Sequence, residues 1–168
     1  MISFAKYHAR RFLVFLLLFW IAAHAASALE AQRLVLFDRN GTRLFTRDVR
    51  PGDRFAIVFT HSLALSTVEE VFETIPCSRF RLIETRYEDF GAGLPHEEMP
   101  GQTMRFENGR IILDGYTAEF DELWLRVGHI ANHRLVAPSG ESICLRDLAE
   151  PGQAVRIAIE DALLEKLE

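Results

Sequence analysis

The chain has 168 residues, 49% of them hydrophobic and 26% charged, which fits a single folded domain and excludes a disordered chain. Its formal net charge is −5, and residues 1–28 hold three cations and no acid, so residues 29–168 carry −8. That balance disfavours nucleic acid, or an anionic membrane surface, as a partner through bulk charge.

Residues 1–28 have the layout of a secretory signal. Lys6, Arg10 and Arg11 precede an unbroken apolar run over 12–23, and Ala26-Ser27-Ala28 is a small-x-small cleavage site, with Ala23-His24-Ala25 as a nearby alternative. The run falls short of the roughly 20 residues that a spanning helix needs. Cleavage, and a periplasmic or secreted domain over 29–168, is therefore expected. The alternative is an uncleaved inner-membrane anchor over 12–28, the only membrane contact the sequence allows for.

From residue 32 onward the pattern is one of short strands between turn signals. Residues 34–37 and 42–49 flank Asn40-Gly41, a strong hairpin dipeptide, and Pro51-Gly52-Asp53 turns the chain into residues 55–61. There Phe55, Ile57, Phe59 and His61 alternate with Ala56, Val58, Thr60 and Ser62, which puts His61 on the face of three core residues and Ser62 on the other. Residues 66–75 carry conflicting signals. Ser66 and Glu69 have capping-box spacing, but Thr67, Val68, Val71, Thr74 and Ile75 are β-branched, and a strand is expected. Residues 80–87 form another strand, with Phe80, Leu82, Glu84 and Arg86 on one face and Arg81, Ile83, Thr85 and Tyr87 on the other.

Three glycines and two prolines make 91–101 a loop. Asn108-Gly109 turns a second hairpin between Phe106 and 111–113. Strands come next at 123–127, 134–137, 142–148 and 155–159, with 128–133 an irregular interruption and 160–168 a short helical tail. About nine or ten short strands with no long helices make an all-β antiparallel sandwich or barrel. Thirteen Phe against three Met fits a sheet-built core. Cys77 and Cys144 form an even pair in an exported domain, hence a candidate disulfide; buried thiols are the alternative.

Chemistry is less legible than architecture. Gly-x-Ser-x-Gly, P-loop, Gly-x-Gly-x-x-Gly and His-Glu-x-x-His patterns are all missing, so no catalytic residue and no cofactor are expected. His61 and Ser62, adjacent on a strand, face opposite sides and make no nucleophile–base pair; a hydrolase would need His129 or His133 to activate Ser62. A metal site is a second option if the fold gathers His61, Glu70, His96, His129 and His133. The third is a binding rim, where a histidine at a strand end, nearby acids and backbone N–H groups around Gly91 and Gly93 suit a small polar ligand or a partner loop. The plain alternative for both glycines is a turn that needs positive φ.

These residues also form a recognisable series. Thr60-His61-Ser62, Val68-Glu69-Glu70-Val71-Phe72, Glu84-Thr85-Arg86-Tyr87 and Phe90-Gly91-Ala92-Gly93-Leu94-Pro95 resemble the signature of the domain-of-unknown-function family 1850. Arg126-Val127-Gly128 and His133-Arg134-Leu135 are similar to its C-terminal pattern. The resemblance implies a small exported or membrane-anchored bacterial protein, often encoded beside a tripartite (TRAP-type) transporter that uses a TAXI-type solute receptor. It implies His61, Ser62, Glu70, Gly91, Gly93 and Pro95 as signature positions, with Tyr87 inside one of the matching blocks. It implies no catalytic role for any of them. Transporter components or a small polar solute are the expected partners, and a metal-dependent or hydrolytic exported enzyme is the alternative.

Overall fold

A computed structural model describes residues 31–162. The signal expected over 1–28 and residues 163–168 of the expected helical tail lie outside them, and the tail's first residues, Glu160 and Asp161, are strand rather than helix. Twelve strands are formed among the described residues, with a single 3₁₀ turn at Leu145–Asp147. They run β1 Gln32–Asp38, β2 Arg43–Val49, β3 Arg54–Thr60, β4 Thr67–Ile75, β5 Arg79–Tyr87, β6 Thr103–Glu107, β7 Arg110–Asp114, β8 Glu119–Phe120, β9 Glu122–Arg126, β10 Arg134–Val136, β11 Ser142–Cys144 and β12 Ala154–Asp161. The protein is all-β and its paired strands are antiparallel.

The strands form two sheets. One has four strands in the order β2-β1-β12-β9; the other runs β11-β10-β3-β4-β5-β7-β6, with β8 also paired to β5. Leu34 and Leu36 of β1 and Val155, Ile157 and Ile159 of β12 pack in one core with Phe55, Ile57, Phe72 and Phe80 of the larger sheet. Burying each such side chain stabilises the fold by about 1.5–3 kcal/mol, and this interface is what closes the sandwich. Phe55, Phe72, Phe80 and Phe120 meet there as stacked and edge-to-face rings with centroids 5.2–6.1 Å apart.

The turns take their shape from their residues. At Asn108-Gly109 both residues take positive φ (51° and 77°), as a two-residue type I′ hairpin requires. At Asn40-Gly41 only Gly41 does, and the β1–β2 ladder shifts register at Phe37. Asp38 holds that turn by accepting the Asn40 and Thr42 N–H groups, which keeps its carboxyl below the usual range.

Residues 66–75 are a strand, as their β-branched content favours, and the Ser66 capping box is not used. Strand β5 carries a bulge. Val71 pairs with Glu84 and Phe72 with Leu82, so Ile83 has no partner across the ladder. The expected alternation over 80–87 therefore breaks. Thr85 and Tyr87 join Phe80 and Leu82 on the inner face, while Glu84 and Arg86 turn outward. Residues 142–148 are also shorter as a strand than expected, because the chain enters the 3₁₀ turn at Leu145.

The disulfide expectation is not met. Cys77 and Cys144 are free. Cys77 sits exposed in the β4–β5 turn at one end of the large sheet, whereas Cys144 lies on edge strand β11, with its Sγ 3.5 Å from Asn132 Oδ1 near the other end. Three strand spacings of about 4.8 Å, plus most of a strand length, separate them, against a Cα separation under about 7 Å in a disulfide.

Candidate functional site

The end of the sandwich formed by the β3–β4 turn and the 88–102 and 127–133 loops collects most of the signature residues. Strand β3 stops at Thr60, so His61 leaves the ladder instead of extending its core face. Its N–H donates to Ser66 O (2.9 Å) and its carbonyl accepts from Leu65 N–H (2.8 Å), which closes a tight turn back to β4. Leu65 pays for that tightness with φ +52°.

The His61 ring is fully committed. Nδ1 accepts the Ala64 N–H at 3.1 Å, so the proton sits on Nε2, which donates to Ala92 O at 3.0 Å. The imidazole thus clips the β3–β4 turn to the 91–95 segment. A Cβ at Gly91 would lie 2.7 Å from His61 Cε1, so glycine is needed there for space. Gly93 is different. Its φ is +87° in open space, in a turn closed by Leu94 N–H to Gly91 O at 3.0 Å, and it is the positive-φ glycine of the pair.

Tyr87 holds the loop from below. The ring is fully buried beside Val68 and Ile111, with Leu94 packed on them, and its hydroxyl donates to Pro95 O at 2.5 Å. Burial, then the nearby Tyr116, raise the Tyr87 pKa. Above these two anchors, residues 91–97 and Met99 line an open groove of about 550 Å³. The loop is fastened at its far side by Glu98 Oε1, which accepts the Met104 N–H of β6 at 2.5 Å.

Glu70 does not join this rim. Cross-strand register places Leu135, Ile57, Glu70, Thr85 and Leu113 side by side on the inner face of the large sheet. The next row towards the rim is Phe59, Val68, Tyr87, Ile111 and Phe106. Val68 and Tyr87, both 0% exposed, therefore separate Glu70 from His61. No cation pairs with Glu70 among the described residues, and burial pushes its carboxyl above the ordinary range. Its polar neighbours are Thr85 and Tyr116, which sequence reasoning missed. Burial and the charge of Glu70 raise the Tyr116 pKa against a hydrogen bond with Thr85. Glu69, by contrast, faces outward and meets Arg86 and Arg110 at 3.2 and 3.5 Å. Arg86, also paired with Glu84, is held charged by the two carboxylates although its burial opposes the charge.

The other candidates are scattered. Ser62 and His129 are exposed, and so is His96, which lines the 91–99 groove. His133 packs against Phe59 with ring centroids 5.6 Å apart; its Nδ1 is buried without a partner, and burial lowers its pKa. Thr60 N–H donates to Ala131 O at 2.7 Å, which brings the 127–133 loop beside β3 without making it helical. No group of three His, Cys, Asp or Glu side chains among the described residues is arranged to hold a metal ion, so the five groups suggested by the sequence are not gathered. With both His61 nitrogens engaged by backbone, that ring offers Ser62 no base.

No curated protein and no solved structure matches the chain. The sequence model of the domain of unknown function DUF1850 matches residues 55–143, more than half of the chain, and the protein belongs to that family.

Proposed function

We propose that the protein is an exported, non-enzymatic binding module that serves as an accessory of a TRAP-type solute uptake system. It takes a small polar solute or a transporter component at the His61 end of the sandwich. The observation that carries this reading is the double fastening of the 91–99 loop, by His61 at Ala92 and Tyr87 at Pro95, beneath an open groove. A loop fixed at two points presents backbone N–H and C=O groups in a set geometry, which lowers the ordering cost of binding. The engagement of both imidazole nitrogens by backbone supports binding over hydrolysis.

The test is solute uptake in cells whose only copy is His61→Ala, with the purified variant's unfolding curve recorded alongside. Impaired uptake by a variant that is still folded supports the reading. Wild-type uptake overturns it.

A further inference from the structure

We propose that a second surface, the groove between residues 88–90 and the β6–β7 hairpin, docks a partner protein through an apolar side chain flanked by Lys or Arg. The groove exists because the two sheets are unequal. The core shared by both sheets contains no residue of β6 or β7. Their inner face is covered instead by the 88–102 loop, whose Leu94 packs beside Met104 of β6 on Val68, Tyr87 and Ile111.

That cover runs out at the last residue of the row. Phe106 is 71% exposed, and Phe90 beside it is 51% exposed, with ring centroids 6.5 Å apart. Between them and Ile111 lies a groove of about 350 Å³. Two large aromatic side chains left open beside each other at a groove are the anchors that protein interfaces favour.

The charge at its lip selects the occupant. Glu88 and Asp89 line the groove, are exposed, and pair with no cation among the described residues. The one cation of the lining, Arg110, is turned to Glu69, 3.5 Å away. A second copy of this chain would bring the same carboxylates together across a two-fold axis, and an anionic bilayer would be repelled. A cationic, apolar segment meets both features at once. The groove shares no lining residue with the 91–99 groove, so the proposal stands independently of the uptake reading.

The test uses the purified full chain and a fluorescein-labelled ten-residue peptide of alternating Leu and Lys, with a Leu/Glu peptide as control, read by anisotropy at low and high salt. Only the Leu/Lys peptide is expected to bind. Phe106→Ser and the double variant Glu88→Gln/Asp89→Asn should each weaken it about tenfold, as loss of an interface anchor does, and salt should matter less in the double variant. Unfolding curves of both variants should match the parent, since the altered side chains are exposed. Failure of the Leu/Lys peptide to bind, equal binding of the two peptides, or unchanged binding by both variants overturns the proposal. So does binding to phosphatidylglycerol vesicles in place of the peptide, or a dimer in sedimentation that Phe106→Ser dissolves.

Discussion

Replacing Gly91 by Ala tests the clip directly. The added Cβ would stand 2.7 Å from His61 Cε1, 3.0 Å from Nδ1 and 3.1 Å from Nε2. Carbon contacts settle at about 3.5 Å or more, so the ring must recede by roughly 0.8 Å. Its two hydrogen bonds, now 3.1 Å to Ala64 N and 3.0 Å to Ala92 O, then stretch beyond useful range. Losing two such bonds costs about 1–3 kcal/mol. Gly91 does not have positive φ, so no backbone strain adds to this. Urea unfolding of Gly91→Ala, His61→Ala and the double variant measures the coupling. Gly91→Ala should be destabilising alone and close to neutral once His61 is gone. Gly93→Ala, at φ +87° with nothing within 4 Å of its Cβ, should cost about 1 kcal/mol whether or not His61 is present. A neutral Gly91→Ala, or costs that simply add in the double variant, would refute the clip.

Two further substitutions probe the interior. Burial raises the Glu70 carboxyl above its ordinary value of 4.5, so the folded chain keeps that proton to higher pH than the unfolded chain does. The corresponding stability is fully present below the unfolded value and is lost as pH rises through the folded one. Glu70→Gln should therefore stabilise the protein at pH 7 and flatten that fall; a thermal series across pH 4–8 in which Glu70→Gln is less stable than the parent throughout would count against it. Tyr87→Phe keeps the buried ring but removes the bond to Pro95 O, so a loss of about 1 kcal/mol should come with faster amide exchange over 94–99 than elsewhere. Uniform exchange would mean the hydroxyl does not fasten the loop.

Strand positions were legible because each depends on nearby residues. β-Branched side chains identified β4 over a competing helix signal, and Asn108-Gly109 specified its own turn. Features that depend on a neighbouring strand were not legible. Nothing in residues 80–87 announces the unpaired Ile83, yet that one residue moves Tyr87 from the outer to the inner face and makes it the loop's anchor. Alternation in β3 pointed His61 towards the core, but hydrogen bonds to Ser66 and Leu65 turn it into the loop contact instead. Tyr116 carried no motif and Thr85 stood in a matching block with no role of its own, and their relation to Glu70 emerges only across the β4–β5 ladder and in the segment after β7. Cys77 and Cys144 suggested a bond by parity alone, and the order of strands separates them.

The hydrogen bond from Gln32 Nε2 to Ile75 O has a bearing on orientation. It places the start of β1 beside the far end of β4, and Asp161 of β12 pairs with Gln32, so both ends of the described domain leave from one pole. Thr67, where β4 begins next to the His61 turn, is eight residues back along the strand, about 26 Å away at 3.3 Å per residue. The 91–99 loop therefore lies at the pole opposite the one where the described chain begins and ends.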